Sequence, residues 1–524
     1  MPGGDSSTLS PVHRPATATL AIFAALAAAT LLPRVFGLDA GLPLILNEDE
    51  AFCLGFARAL EVDGDLGGAR WHYPPLLGEL MTIRSWFGAC DQRCDTPQLI
   101  RFGREISVFA AVLAVLATAA AARLAGVRRG VAAAAALVLA GSPTFTFMSR
   151  QATPDVLCVA FVALALLTCA GLQKQPRPRW YVLAGAAIGL AAGAKYNAGI
   201  VCVAVAAAHF TTPQPWRRLP WLLLAAVVSL VAFAATLVWT WDGIEPILRG
   251  LRYEWAHYAG GHSGFTTTRP LADTFTHLAV FAFGFAGLAA AAIGTARVTQ
   301  RADRARLLVV PPLVFAAVYL ALIARGQMFV DRVLLPALPA LALLAALGLD
   351  RLVDAVARRG ARTAALATLA LAALVLVQPL RITVGQVRAL LPEDSRLAAH
   401  NWILANLDYP DDHVVAVPRS VRFILKGLTR SDVDVLTTED ATPARLRRAT
   451  HVIFSRGTYQ RFHRTPDRFP AESAEARAIE AELQRIGNRV QSFENPPLPG
   501  AELFGTTFPL YHQVAIDIYE IPRP

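Results

Sequence analysis

From residue 16 to about residue 380, uncharged apolar runs alternate with short polar connections. Runs such as 131–147 with its flanks and 221–239 reach about 18 residues, long enough to cross a hydrocarbon core of roughly 30 Å. Spans are expected at 16–33, 104–125, 130–147 and 154–172, then at 220–240, 273–293, 307–324, 330–349 and 363–380. The segment 180–210 has basic connections on both sides and must cross an even number of times, as two short helices meeting near Lys195-Tyr196-Asn197. The total is about eleven crossings, an odd number that places the two ends of the chain on opposite sides.

A second pattern interrupts the first. Residues 38–103 form a long loop outside the membrane with two helical stripes. Phe52, Phe56 and Leu60 make one, and Leu76, Leu80, Ile83 and Phe87 the other, as in helices that lie against an interface. Past Gln378-Pro379 the chain turns to mixed charge. Strand-like pieces at His413–Val417, His451–Phe454 and Val514–Ile521 alternate with helical stretches at Leu397–Leu407 and Ser473–Ile486. The expected fold class is a polytopic α-helical membrane protein carrying a C-terminal soluble α/β domain. Its divisions are a disordered N-terminus (1–15), a membrane domain (16–381) that includes the loop, and the α/β domain (382–524).

Composition agrees with a membrane solvent: 55% of residues are hydrophobic, 17% are charged, and mean hydropathy is +0.43. The net charge of +10 raises the question of nucleic acid. Its distribution answers it, because the arginines gather in alternate short connections: Arg123, Arg128 and Arg129, then Arg217 and Arg218, then Arg351, Arg358 and Arg359. That is the bias of cytoplasmic loops, so the N-terminus is read as cytoplasmic, the C-terminal domain as extracytoplasmic, and the setting as the plasma (inner) membrane. A cleaved signal peptide competes for the first run, but no clear processing site follows it. Cys53, Cys158, Cys169 and Cys202 read as small core residues, and Cys90 and Cys94, in the outer loop, either pair in a local disulfide or stay as thiols.

Charges out of place mark the candidate chemistry. Asn47-Glu48-Asp49-Glu50 sits at the mouth of a helix beside the bilayer, where carboxylates are costly to desolvate. Asp49 and Glu50 are candidate catalytic carboxylates, with a capping box between Asn47 and Glu50 as the plain alternative. Asp155, after Pro154, is a third acid, or else a helix cap. Arg150, Lys195 and Arg332 are cations near the same face. Arg150 has Asp155 as a local partner, Lys195 can snorkel to the interface, and Arg332 has Asp331 beside it. His72, Tyr73, Glu254, His257, Tyr258 and His262 supply rings and polar groups suited to a sugar or acceptor. Glu254 and the three histidines are also candidate ligands for a divalent metal ion, although histidines scattered in an interfacial loop are usually not ligands.

The order of these features resembles the GT-C superfamily of glycosyltransferases, in the branch of the protein O-mannosyltransferases and aminoarabinose transferases. The resemblance rests on Asp49-Glu50-Ala51-Phe52, Tyr73-Pro74-Pro75-Leu76, Thr153-Pro154-Asp155, Lys195-Tyr196 and Arg332-Val333-Leu334-Leu335-Pro336-Ala337-Leu338-Pro339. It implies transfer of a hexose or pentose from a polyprenyl-phosphate donor to an extracytoplasmic lipid, glycan or protein, with inversion and with Asp49 as general base. The implied partners are the lipid-linked sugar and membrane lipids, not nucleic acid. Family members often carry an acidic-Lys pair where this chain has His72-Tyr73, which shifts phosphate binding to Lys195, Arg150 or Arg332. A lipid or lipid-linked glycan transporter (flippase) is the rival reading; intramembrane charges favour it, and the long outer loop and soluble tail oppose it.

Overall fold

The computed structural model describes residues 14–64, 72–86, 94–237, 244–261, 266–296, 304–389, 391–464, 466–467, 469–496 and 515–522. The chain opens with α1 (Arg14–Val35), then α2 (Glu48–Val62) and α3 (Leu76–Trp86) in the outer loop, and α4 (Thr96–Leu124). Next come α5 (Arg129–Ala140), α6 (Pro143–Met148), α7 (Pro154–Lys174), α8 (Pro178–Ala194), α9 (Cys202–Phe210) and α10 (Leu219–Ala235). After α11 (Glu245–Gly260), α12 (Pro270–His277) and α13 (Phe285–Thr295), the membrane part closes with α14 (Arg304–Ile323), α15 (Leu338–Ala357) and α16 (Ala361–Ala389).

Among the described residues six helices are long and apolar enough to span a bilayer, and the bent pair α12–α13, broken by 114°, makes a seventh if it counts as one. Shorter apolar helices occupy Arg129–Ala140, Tyr196–Phe210 and Leu308–Ile323. Among the described residues each expected span is largely helical, but breaks shorten several of them. The expected span 130–147 is split by Gly141 and by Ser142, whose side chain accepts from the Phe145 amide at 3.3 Å to start α6 afresh. Helix α4 begins at Thr96, ahead of the expected 104, because Asp95 and Gln98 close a capping box with Pro97 in the first turn. In α3 the buried face is Leu76, Leu77 and Met81, with Leu80 and Ile83 half-buried, and Phe87 lies outside the described residues.

The most apolar 18 residues of Asp331–Ala357 are all buried, whereas those of Pro215–Ala235 (with α10) and Ala361–Ala389 (α16) are only 6% and 11% buried and face outward. The bundle is thus organised around α15. Helix α13 crosses it backbone to backbone. A Cβ on Gly294 would strike the Leu344 carbonyl, and one on Gly348 the Ala290 carbonyl, so only glycine permits that approach. Chain direction brings the start of α4, the start of α7, the end of α8 and the start of α15 to one end of the bundle. The arginine-rich connections gather at the other, where Arg128 pairs with Asp350 at 3.1 Å near the end of α15. Cys53, Cys158 and Cys169 are buried as expected, but Cys202 is exposed, on the outward side of α9. Cys94 is disulfide-bonded, and Cys90, its expected partner, lies outside the described residues.

Helix α16 runs past Arg381 to Ala389 and leads into α17 (Ser395–Asn406). The tail then builds β1 (His413–Val417), β2 (Asp432–Val435), α18 (Pro443–Leu446), β3 (His451–Phe454), α19 (Arg456–Arg464), α20 (Pro470–Ile486), β4 (Asn488–Glu494) and β5 (Ala515–Glu520). The five strands lie in the order β2-β1-β3-β5-β4, with β1 parallel to both neighbours and β5 antiparallel to both of its own. One face of the sheet is covered by α17. Its core with Ala399, Ile403 and Val414 also takes in Leu44, a residue of the outer loop. Arg396, held by Asp394 at 2.7 and 2.8 Å, donates to the Leu46 carbonyl at 3.2 Å. The soluble domain therefore grips the chain just ahead of Asn47 and Asp49.

Candidate active site

Helix α2 starts under its own cap: Asn47 is extended (φ −110°, ψ 119°) and its side chain accepts from the Asp49 amide at 3.0 Å. The expected capping box does not close. The Glu50 carboxylate is instead drawn inward by Arg104 of α4, which donates from Nε and Nη2 at 2.8 Å each, and it also accepts from the Ala152 amide at 2.8 Å. Arg104 donates in turn to the carbonyls of Leu38 at 2.7 Å and Ala40 at 3.0 Å. Glu50 is thus wholly buried, with its charge matched and its oxygens occupied. It pins α2 to α4 and to the turn before α7. Phe56 and Leu60 of the predicted stripe fix the far end of α2 against Leu237 and Ile247.

With Glu50 turned inward, the neighbouring Asp49 points elsewhere around the helix. Its Oδ2 is ion-paired with Nη1 of Arg332, and its Oδ1 accepts from the Tyr73 hydroxyl at 3.2 Å. Arg332 lies in a 3-10 turn (Asp331–Ala337) that leads into α15, with Asp331 within electrostatic reach beside it. The Asp331 carboxylate accepts from the backbone amide of Arg332 at 2.8 Å, and the guanidinium reaches across to Asp49 on α2.

A second pair stands beside the first. Asp155, in the first turn of α7, accepts from Lys195 Nζ at 2.6 Å, so Arg150 is not its partner. Lys195 sits at the break between α8 and the 3-10 turn Tyr196–Val201, where its extended backbone (φ −152°, ψ 124°) aims the ammonium inward; it is 4% exposed and does not snorkel. The Tyr73 ring lies 5.5 Å from that ammonium while its hydroxyl reaches Asp49, so one side chain touches both pairs. Arg150 is buried apart from them. It donates to the Phe36 carbonyl at 3.4 Å and lies within electrostatic reach of Arg34, and its Nε and Nη2 have no hydrogen-bond partner among the described residues.

Rings line the approach. His72 and Tyr253 lie 3.9 Å apart, Tyr253 stacks on His257 at 5.5 Å and 13°, and Phe52 meets His72 edge-on at 5.4 Å. Glu254 on α11 faces the charged cluster. Burial pushes its carboxyl up to about 7 against the pull of Lys195 and Arg332, while burial and Arg332 hold His257 below the usual imidazole value. Tyr258, also on α11, lies within reach of Lys195 and Arg332, and its carbonyl accepts from the amides of Gln327 at 2.9 Å and Met328 at 3.3 Å. His262 lies outside the described residues. Among those described, no group of three or more His, Cys, Asp or Glu is placed to hold a metal ion.

Residues 101–239 match the family described as dolichyl-phosphate-mannose-protein mannosyltransferase. Among solved structures, ArnT from Cupriavidus metallidurans in the apo state has a TM-score of 0.54 at 15% identity, with 96% of this chain and 98% of that one covered. The same protein bound to undecaprenyl phosphate gives 0.50 at 16%, covering 96% and 97%. The oligosaccharyltransferase AglB from Archaeoglobus fulgidus, in complex with an inhibitory peptide and a dolichol-phosphate, gives 0.52 at 13%, covering 90% and 72%. No curated protein matches the sequence. The chain has the GT-C glycosyltransferase fold.

Within that GT-C frame the structure adds residues that the sequence did not single out. Arg104 had only a weak signal, as one of three charges (Arg101, Arg104, Glu105) at the start of an otherwise apolar helix, and it proves to be the partner of Glu50. Gln151, whose Oε1 accepts from Asn47 Nδ2 at 3.3 Å, and Tyr319 of α14 had none. Both act through contacts between segments far apart in the chain.

Proposed function

We propose that this protein transfers a sugar from a polyprenyl-phosphate donor to an acceptor hydroxyl, at the membrane face opposite its arginine-rich connections. The observation that carries the reading is the pair of ion pairs, Asp49–Arg332 and Asp155–Lys195, with Tyr73 touching both. A sugar phosphate already has a good leaving group, so the chemistry needs a base for the acceptor and cations for the departing phosphate. Arg332 and Lys195 suit the phosphate. When the anion engages Arg332, the Asp49 carboxylate loses its partner and becomes available as base. Asp49 then takes the acceptor proton while the acceptor oxygen bonds to the anomeric carbon and the carbon–oxygen bond to phosphate breaks, leaving polyprenyl phosphate. A single displacement of this kind inverts the anomeric centre.

In this scheme Asp155 and Glu50 are positioning residues, the one for Lys195 and the other for α2, and Arg150 is a further cation for the lipid phosphate. His72, Tyr73, Glu254, His257, Tyr258 and His262 form the sugar- and acceptor-binding wall. The lipid phosphates bound to the two fold relatives support this donor class, and the arginine bias supports an extracytoplasmic site in the plasma membrane. The test is purified protein in liposomes with radiolabelled polyprenyl-phosphate sugars and total envelope lipids, glycans and proteins as acceptors. The label should leave the lipid for a water-stable glycoside. Label that crosses the bilayer still attached to its lipid would make the protein a transporter.

A further inference from the structure

Both cations assigned to the donor phosphate adjoin or lie in 3-10 turns, whose hydrogen bonds are poorer than those of an α-helix and fix orientation less firmly. Lys195 precedes Tyr196–Val201, and Arg332 lies within Asp331–Ala337. The Lys195 amide donates to the Ala191 carbonyl of α8 at 2.9 Å, which ties its turn to that helix but not to the turn that carries Arg332. The hydroxyl of Tyr319, a fully buried residue of α14, touches both segments. It accepts from Asn197 Nδ2 at 3.2 Å, just beyond Lys195, and donates to the Val333 carbonyl at 2.9 Å, next to Arg332. Asn197 Oδ1 is buried without a hydrogen-bond partner among the described residues, which leaves the bond to Tyr319 as the anchor of that side chain. The Tyr319 ring is held separately, packed against Phe315 with centroids 5.5 Å apart.

We propose that Tyr319 is a positioning residue for the donor phosphate. Its hydroxyl ties the Lys195 turn to the Arg332 turn, so the two cations meet one phosphate at a fixed spacing. The inference rests on the donor site proposed above.

The test uses Tyr319→Phe in the full chain, which keeps the ring packing and removes only the hydroxyl. Two readouts are taken in the same liposomes, transfer kinetics and direct binding of polyprenyl phosphate. Loss of both hydrogen bonds should raise the donor KM and weaken polyprenyl-phosphate binding by about tenfold, with the acceptor KM unchanged. Asn197→Leu should shift the donor KM in the same direction, and the double variant should add little to Tyr319→Phe. Donor KM and lipid binding within twofold of wild type, whether or not the melting temperature falls, would overturn the proposal. Wild-type protein that binds the lipid but transfers nothing, with binding weakened in Tyr319→Phe, would keep the bridge and remove the transferase reading.

Discussion

The Tyr73 hydroxyl donates to Oδ1 of Asp49 across 3.2 Å, while Oδ2 of the same carboxylate is paired with Arg332. The two contacts differ in kind. In the proposed reaction a donor phosphate would replace Asp49 on Arg332, whereas the Tyr73 bond would survive that exchange and keep the carboxylate aimed. Tyr73→Phe should therefore lower kcat by about three- to tenfold, the worth of one orienting hydrogen bond, with the donor KM nearly constant. Steady-state kinetics with varied donor separate the two parameters, and a change confined to KM would contradict this role.

Glu50 has the opposite character, since it is fully paired before any substrate arrives. Glu50→Gln leaves Arg104 buried without its counter-charge, a loss of about 3–5 kcal/mol for a pair of this kind. The variant should melt well below wild type in detergent, and Glu50→Gln/Arg104→Met should recover part of the loss. A Glu50→Gln protein that melts normally but is inactive would return Glu50 to the chemistry.

How much of this was legible in the sequence depends on how far apart the partners lie. The charges themselves stood out, because Asp49, Lys195 and Arg332 interrupt apolar surroundings. The pairing did not: Asp49 and Arg332 are separated by 283 positions. Local neighbours suggested other partners. Asp331 beside Arg332, Asp155 close to Arg150, and Glu50 in capping-box spacing from Asn47 each offered a contact that sequence distance favours. Longer-range ion pairs engage the same side chains: Asp49 with Arg332, Lys195 with Asp155 and Arg104 with Glu50. In the tail, β1 and β3 read clearly as apolar runs, while the edge strands signal weakly: β2 (Asp432–Val435) alternates Asp and Val over only four residues, and β4 (Asn488–Glu494) is mostly polar and exposed.

Arg150 offers a separate check on the phosphate site. A buried guanidinium with two unpartnered nitrogens is unfavourable until an anion reaches it. Arg150→Met should raise the melting temperature of the lipid-free protein and reduce the further rise produced by polyprenyl phosphate. A lower melting temperature in the lipid-free state would mean that the arginine is already satisfied.

Glu254 sets an expectation for pH. Burial raises its folded-state value to about 7 from an ordinary 4.5, so between those values the folded protein holds more protons than the unfolded chain. Stability contributed by this group must fall as pH rises from about 4.5 to about 7 and level off above that. Glu254→Gln should remove that slope from a plot of melting temperature against pH. An unchanged slope would assign it to another group.

The central claim is that Asp49 removes the acceptor proton. The direct measurement is single-turnover transfer from a radiolabelled polyprenyl-phosphate sugar by wild type and by Asp49→Asn at saturating donor. The variant's rate should be lower by about two to four orders of magnitude, with lipid binding retained and the chain still folded. An Asp49→Asn protein that forms product at the wild-type rate would contradict it.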